Sequence, residues 1–586
     1  MEKSPLFYKV KYRSMLLSGT ITAGVDYLML LCDNIITGRM IGPDGVAAIH
    51  IAVPLIVAVN FLSSCITDGT AILYTRAIGA MDRKRANQIY GMGMIVSVIC
   101  AVLVSALLFL FREKYLHFCG ASGVILTYAG EYFRLLPLCA ALQIIRFYLE
   151  ETVYSDGDEN LEVLCYIVQF IGNIVLSILL TKVMGIRGII LGTIVGNGAA
   201  ILILALHFLK KSNTLHFVPY FSWKDLGQCF KYSITDAIVF LLWGGMDLVM
   251  ISFISRNFGE SYLTVMAVIF SMIELSVIFD GIGMAIQPLI GVYFGEKNHL
   301  MIRRLMKDGI RTAVIEGITA SVLIFIFAPQ FAWLFGITDI HMLVPSVTAI
   351  RIVSLTFTAS SLFMLETSYY LYVDHIRFSV GAIILKDGIL STLLPILFAH
   401  FIGTTGLWIG FALAPVLGLA LSMQFLYLYA GKDRFPLLLE DSNSEIIVYD
   451  AILSPQSMTN TSRAVQAQLE KHNYPKKTAI KAGLFVEEIS AVVREKNDDK
   501  EVLMEYSLLF DKDSVRLVIR DSGNIFDVTD PDLQITGLSS FVINGLLNAQ
   551  KEKDYIPTTG YNRNLIRFDA AFPRYGADQG EQHQCN

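Results

Sequence analysis

The chain has 586 residues, 54% of them hydrophobic and 17% charged, with a formal net charge of -5. A soluble protein carries about 25% charged residues, so that class is excluded for the whole, as are disordered, collagenous and small disulfide-stapled chains. The average conceals two polymers, because 38 of the 97 charged residues fall in residues 441–586, which hold 22 acidic and 16 basic side chains. The first 440 residues read as membrane protein and the remainder as a soluble domain. No large basic patch stands out, so a nucleic-acid partner is not expected. Cys32, Cys65, Cys100, Cys139 and Cys165 lie in apolar runs without metal-ligand spacing, as small buried hydrophobes do.

Runs of about 20 apolar residues can cross the hydrocarbon core as helices. They occur near 15–38, 46–74, 89–111, 124–150, 161–182 and 188–209, then, after a polar connection from Lys210 to Lys224, near 229–255, 263–294, 308–331, 341–372, 379–401 and 406–430. The first run reads as a retained helix rather than a cleaved leader. Lys and Arg concentrate in alternate loops: Lys3, Lys9, Lys11 and Arg13; Arg76, Arg83, Lys84 and Arg85; Lys210, Lys211 and Lys224; Lys297, Arg303, Arg304 and Lys307. Those loops are expected on the cytoplasmic side, with both termini.

The two halves echo one another. Asp33 is followed by Asp247 after 214 residues, Asp68-Gly69 by Asp280-Gly281 after 212, and the basic turn after Ile78-Gly79 by that after Phe294-Gly295 after 216. Parallel six-helix repeats of this kind form transporters with a substrate route between the halves, although channels and membrane enzymes are duplicated too.

Ionisable side chains inside hydrocarbon mark functional or paired positions. Candidates are Asp26, Asp33, Asp68, Glu131 with Arg134, Asp236, Asp247, Glu274, Asp280, Glu366 and Lys386-Asp387. Glu131 and Arg134 also fit a structural i,i+3 pair, Lys386 a partner on a neighbouring helix, and Asp68 and Asp280 the watery ends of spans. Pro54, Pro137, Pro288, Pro345 and Pro395 are candidate kinks, and Gly185, Gly188, Gly192, Gly196 and Gly198 fit a tight turn and close helix packing.

The stretch Cys32-Asp33-Asn34-Ile35-Ile36-Thr37-Gly38-Arg39-Met40-Ile41-Gly42, continuing to Pro54, resembles the first-helix region of the multidrug and toxic compound extrusion (MATE) family. Arg76-Ala77-Ile78-Gly79 before Asp82-Arg83-Lys84-Arg85-Ala86 resembles its second loop. Ala285-Ile286-Gln287-Pro288-Leu289-Ile290-Gly291 with Tyr293-Phe294-Gly295 resembles the matching stretch of its second half. The likeness covers about residues 10–430. It implies a secondary antiporter that expels organic cations or amphiphiles against Na⁺ or H⁺. It also implies a cation site in the first lobe, with Asp33, Asn173 and Thr193 in the family's positions. The family's second carboxylate there falls on Ser177, a departure that leaves one carboxylate. Asn173 can also bond a neighbouring helix, and Thr193 its own. Glu274 and Glu366 are further candidates from the second lobe.

From about Asp441 the pattern becomes α/β. Strands are expected at Glu445 to Tyr449, Val502 to Phe510, Val515 to Arg520 and Asn564 to Phe568. Helices are expected at Thr461 to His472, Lys477 to Arg494 (with Ile480, Leu484 and Ile489 as the buried stripe) and Gly537 to Asn548. Phe485-Val486-Glu487-Glu488-Ile489 and Arg520-Asp521-Ser522-Gly523-Asn524-Ile525-Phe526-Asp527 resemble two motifs of the ATP-binding domain of histidine kinases and anti-sigma-factor serine kinases. That likeness makes Glu488 a nucleotide-site candidate, Asp521 the acceptor for the adenine amino group, and Gly523 a point of close backbone approach. Thr536-Gly537-Leu538 stands where the phosphate lid would be. Val492 replaces the asparagine that helps hold Mg²⁺ and has no oxygen for a hard cation. Kinase catalysis is therefore not expected, and ATP binding without turnover or a regulatory protein partner fits the tail. With no phosphate-binding loop ending in Lys-Ser or Lys-Thr, ATP is not the motor.

The sequence thus predicts an all-α polytopic membrane protein, twelve transmembrane helices in two six-helix lobes, plus a C-terminal α/β two-layer sandwich domain. The expected division is a cytoplasmic N-terminus 1–14, lobes 15–209 and 229–430 joined by a cytoplasmic linker 210–228, a linker 431–444, the tail domain 445–575 and a polar, disordered end 576–586. The function read from it is ion-coupled export of small molecules across the plasma membrane. A flippase for lipids or lipid-linked saccharides, or a membrane sensor signalling through the tail, remain alternatives.

Overall fold

The computed structural model describes residues 7–120, 122–259, 261–334, 340–439, 445–498, 500–511, 513–528, 543–547, 553–557 and 560–569. The chain divides into two units, Tyr8–Leu439 and Glu440–Asn586, the latter with Met1–Phe7.

The first half of the larger unit runs α1 (Phe7–Met40), α2 (Pro43–His50), α3 (Val53–Gly79), α4 (Arg83–Phe118), α5 (Gly123–Phe133), α6 (Leu136–Ser155), α7 (Glu159–Met184) and α8 (Ile186–Ala205). The second runs α9 (Trp223–Phe258), α10 (Ser261–Glu274), α11 (Asp280–Glu296), α12 (His299–Leu334), α13 (Ile340–Ser354), α14 (Phe357–Tyr372), α15 (Ile376–Ile383), α16 (Ser391–Ile402) and α17 (Thr404–Arg434). Among the described residues nine helices are long and apolar enough to cross a membrane, and two bent pairs, α5 with α6 (46°) and α13 with α14 (44°), raise the number to eleven. The expected span at 15–38 lies on α1, a helix of 34 residues. Exposed Val102, Leu103, Phe109 and Leu110 on α4 form a surface suited to acyl chains.

Local chemistry sets the boundaries. The Asp82 carboxylate accepts the Arg85 N–H at 2.9 Å and caps α4. Gly185, at φ +59°, turns α7 directly into α8, a backbone region that side-chain-bearing residues rarely adopt. Pro54 and Pro137 fall at the first turns of α3 and α6, just after helix breaks, where a missing N–H does no harm.

The duplication is visible in the packing. A Cβ on Gly79 of α3 would stand 2.2 Å from the Val292 carbonyl oxygen of α11, and one on Gly295 would stand 2.2 Å from the Arg76 carbonyl oxygen. Gly79 and Gly295 are 216 residues apart, and so are Arg76 and Val292. The contact is therefore reciprocal: each half offers its glycine to the other half's backbone. Gly69 and Gly281 repeat the pattern, the first against the Cys229 carbonyl oxygen of α9 (2.1 Å), the second against the Thr20 nitrogen of α1 (2.6 Å). Ser233 Oγ accepts the Gly69 N–H at 2.8 Å.

Three expectations require correction. Glu131 does not pair with Arg134; its partner is Arg187 at 3.1 Å, because Arg134 lies at the α5–α6 break and points to the surface. Lys386 pairs with its neighbour Asp387 at 2.9 Å and lies over the Phe363 ring of α14. Asp68 does not stand at a span end but in the interior of α3. The linker after Lys210 is also fastened rather than loose. The Thr214 N–H donates to Asp156 at 2.9 Å and the His216 N–H to Asn87 at 2.9 Å, while Arg85 grips Asp225 at 2.6 Å. That guanidinium holds the Asp225 carboxyl down at about 2.

The smaller unit contains β1 (Ile446–Ile452), α18 (Pro455–Lys471), α19 (Lys476–Lys496), β2 (Leu503–Phe510), β3 (Ser514–Asp521), β4 (Lys553–Tyr555) and β5 (Asn562–Asp569). Its strands form one sheet in the order β1-β2-β3-β5-β4, each pair antiparallel. Alternate residues Met504, Tyr506, Leu508 and Phe510 share an apolar core with Ala482, Phe485, Val486, Ile489, Val492 and Val493 of α19. The stripe expected on α19 is thus misplaced: Ile480 and Leu484 are exposed, and of the three only Ile489 is buried. Short alanines extend the true stripe in a way that a search for large side chains overlooks. Most of the helix expected at Gly537 to Asn548, and all of 576–586, lie outside the described residues.

The glycine contacts make a sharp comparison. Gly79→Ala and Gly295→Ala each force two backbones apart and are expected to lower stability by about 1–3 kcal/mol. Gly130→Ala and Gly172→Ala, whose new Cβ meets nothing, are expected to be neutral or stabilising by up to about 1 kcal/mol. Thermal unfolding of the purified protein in detergent distinguishes the two sets.

Candidate functional site

Helices α7 and α8 approach through glycines four residues apart. A Cβ on Gly188 would stand 2.2 Å from the Thr181 nitrogen, one on Gly192 2.3 Å from Ser177 Oγ, and one on Gly196 3.4 Å from the Gln169 carbonyl oxygen. Such a stripe lets backbones close and brings small polar side chains into register. Asn173 Nδ2 donates to Thr193 Oγ1 at 3.1 Å, and Ser177 Oγ donates to Asn173 Oδ1 at 3.2 Å. Thr193 also bonds back to the Ile189 carbonyl at 3.4 Å. Asn173 and Ser177 are fully buried. The Asp33 carboxylate of α1 lies beside the Asn173 amide, and its Oδ1 is buried without a hydrogen-bond partner.

Four predicted residues, Asp33, Asn173, Ser177 and Thr193, therefore form one cluster. The carboxylate supplies charge, while amide and hydroxyl oxygens supply neutral acceptors, a set suited to a proton or a hard monovalent cation. A buried carboxylate oxygen lacking a donor is costly until one of these arrives. Gly192 packs against Ser177 so closely that any side chain at 192 would overlap the Ser177 hydroxyl.

Glu274 and Glu366 have separate surroundings. Glu274, at the end of α10, feels the charge of Asp247, and Tyr27 of α1 reaches the nearby Ser271 carbonyl at 3.1 Å. Asp247, the echo of Asp33, repeats its condition, with Oδ1 buried and without a partner. Glu366 is buried and accepts from Ser422 at 2.9 Å. The side chains of Asp26 and Asp236 lie outside the described residues.

Sequence reasoning missed a second set of buried charges. Lys11 donates to Glu159 and to the Gly157 carbonyl, Ser14 donates to Glu159, and Ser18 to Glu162. Arg146 pairs with Glu150 one turn along α6. His207 lies between Asp156 and Asp158, at 2.8 and 2.9 Å. The opposite charges four residues apart at Arg146 and Glu150, inside an apolar run, were the available signal.

In the smaller unit Asp521 is fully buried at the end of β3. Its Oδ1 accepts from Asn562 Nδ2 at 2.8 Å and from the Gly523 N–H at 3.1 Å, while its Oδ2 is buried without a partner. Burial pushes its carboxyl up to about 7, against the Asn562 and Gly523 hydrogen bonds. Gly523 is packed against the protein itself: a Cβ there would stand 2.4 Å from Asn497 Nδ2. Asn497 Oδ1 in turn accepts the Asn524 N–H at 2.8 Å, fastening this loop to the end of α19. Glu488 is half-buried on α19, and Val492 belongs to the apolar core. Thr536-Gly537-Leu538 lies outside the described residues. Among the described residues no group of three His, Cys, Asp or Glu side chains is arranged to hold a metal ion.

The sequence matches the MatE family over residues 22–179 and 237–384, one stretch in each half, and the chain belongs to that family. It is thus a multi-pass membrane protein. It is 23% identical over 297 residues to the multidrug export protein MepA of Staphylococcus saprophyticus subsp. saprophyticus, a match covering 50% of this chain and 65% of that one. It is 21% identical over 322 residues to the MepA of Staphylococcus aureus (strain bovine RF122 / ET3-1), covering 54% and 69%. In fold it is similar to a MATE crystal structure in the bent conformation (TM-score 0.66, 20% identity, 72% of this chain and 95% of that one). It is also similar to an outward-facing MATE-family multidrug resistance transporter of the MOP superfamily (TM-score 0.67, 20% identity, 72% and 96%).

The buried acid of the tail has a pH consequence. A carboxyl raised from near 4 in the unfolded chain to about 7 in the folded one favours the folded state when protonated. Its contribution is present at low pH and is lost as pH rises through about 7. Asp521→Asn, which keeps the acceptor and removes the charge, is expected to protect β3 and β5 at pH 8 by on the order of 1–3 kcal/mol, with the gain vanishing near pH 4. Amide hydrogen exchange of the full chain at both pH values measures it.

Proposed function

We propose that the chain is a secondary active antiporter that exports organic cations or amphiphilic small molecules in exchange for Na⁺ or H⁺. The observation that carries this reading is the Asp33 cluster: a membrane carboxylate with an unsatisfied buried oxygen, set beside Asn173, Thr193 and Ser177. An ion that satisfies Asp33 in one state and leaves in the other couples its own gradient to the cycle. The reading includes twelve spans, α1 being the twelfth, in a plasma membrane with both termini in the cytoplasm. The two duplicated halves alternate access to a route between them. The relatives named as multidrug export proteins support the substrate class. The tail, with its sheet and helices as a two-layer sandwich, regulates the cycle through bound nucleotide or a protein partner and does not drive it.

The test is transport by purified protein in proteoliposomes under an imposed Na⁺ or H⁺ gradient. Asp33→Asn preserves size and removes the charge, and is expected to reduce gradient-driven export at least tenfold while leaving thermal unfolding unchanged, a loss of about 1.4 kcal/mol or more in coupling. Full export by this variant would remove Asp33 from the mechanism. Scrambling of lipid without export of any cation would favour the flippase instead.

A further inference from the structure

Arg76 stands in the last turn of α3, and its guanidinium reaches into the other half of the membrane unit. Nη1 donates to Tyr232 Oη of α9 at 2.7 Å. Nη2 donates to the Tyr372 carbonyl at 2.7 Å and the Leu371 carbonyl at 3.4 Å, the last two carbonyls of α14. The guanidinium carbon lies 4.7 Å from the Tyr232 ring centroid and 4.9 Å from that of Phe294 on α11. Asp374, just beyond α14, is 3.9 Å from Nη1 and accepts from Tyr232 Oη at 2.5 Å. Three helices of the second half and the residue Asp374 thus converge on one side chain of the first.

The chemistry suits a guanidinium. The last carbonyls of a helix lack intrahelical donors and carry the negative end of its dipole. A planar guanidinium presents its donors in a fixed fork and lies flat on aromatic faces, where a lysine ammonium is a compact point charge without that preset geometry. The close backbone contacts on either side, Gly79 against Val292 and Gly295 against Arg76 itself, flank a guanidinium that is largely buried, although Asp374 is exposed. Charge-assisted bonds there are stronger than they would be in water. The position equivalent to Arg76 in the second half is Val292, apolar and buried, so the duplication supplies this device once.

We propose that Arg76 is the latch of the transport cycle: a positioning residue that holds the halves together at the basic-loop face and releases when the route opens there. This rests on the alternating-access reading above.

The experiment places spin labels at Lys84→Cys and Lys297→Cys, exposed positions flanking α3 and α11 in the two halves, in a chain whose native cysteines are replaced. Distances are read by double electron–electron resonance in proteoliposomes, with and without the ion gradient. The parent chain is expected to show a short and a long component whose ratio the gradient changes. Arg76→Ala is expected to raise the long-to-short ratio roughly tenfold, and Arg76→Lys to restore part of the closed population. Tyr232→Phe keeps the packing and removes one acceptor, and is expected to raise the ratio several-fold; it decides the matter if Arg76→Ala does not fold. An unchanged ratio in folded Arg76→Ala, or in Tyr232→Phe where the alanine variant fails, overturns the latch and leaves alternating access standing. A single distance in the parent chain under every condition overturns both.

Discussion

The contact between α3 and α11 sets the geometry of the membrane unit. Two helices whose backbones meet at Gly79 and Gly295 can approach this closely only because both are glycines: any side chain at either position would overlap a carbonyl. Since each half offers the same glycine to the same place on its mate, the surface is self-complementary, as in a two-fold dimer, although both halves belong to one chain. Gly69 against α9 and Gly281 against α1 extend that symmetry along the seam. The paired opening helices α1 and α9, which carry Asp33 and Asp247, are placed by it.

Within that frame the buried charges sort by whether their needs are met. Lys11 with Glu159, Arg146 with Glu150, and His207 with two aspartates have partners of opposite charge, and they tie α1, α6, α7 and the inter-half linker into one body. A satisfied pair of this kind is a structural device, and breaking it leaves an uncompensated charge. Asp33 differs in that one of its carboxylate oxygens, Oδ1, is buried without a hydrogen-bond partner.

Much of this was legible in the sequence. The apolar runs and the repeat offset rest on residue type and spacing, which survive in one dimension, and the Asp33, Asn173, Ser177 and Thr193 set rests on the resemblance to the MATE family. What escaped depends on the third. Whether Glu131 meets Arg134 or Arg187 is decided by a helix break that redirects Arg134. The stripe of α19 escaped because apolar residues lie on both faces: Phe485, Val486, Val492 and Val493 turn toward the sheet while Ile480 and Leu484 are exposed, a choice that the packing makes. Arg76 was legible only as a loop cation, because its partners are backbone carbonyls and side chains more than 150 residues away, which spacing does not mark. In the tail, Val492 fills the core between α19 and the sheet.

The duplication also explains how one fold can treat two equivalent acids differently. Asp33 and Asp247 occupy corresponding places, and each has one oxygen buried without a partner. Their neighbours have diverged. Asp33 faces the amide of Asn173, a neutral group that can donate to a carboxylate or lend its oxygen to a cation. Asp247 has a second acid, Glu274, in its neighbourhood in place of that amide. Repeats preserved by packing constraints along a glycine seam leave side chains away from the seam free to change. The same process left Arg76 on one side and Val292 on the other. Symmetry is therefore retained where backbones touch and lost where chemistry is done, and a carrier built from two copies needs that inequality if its two faces are to bind and release on different terms.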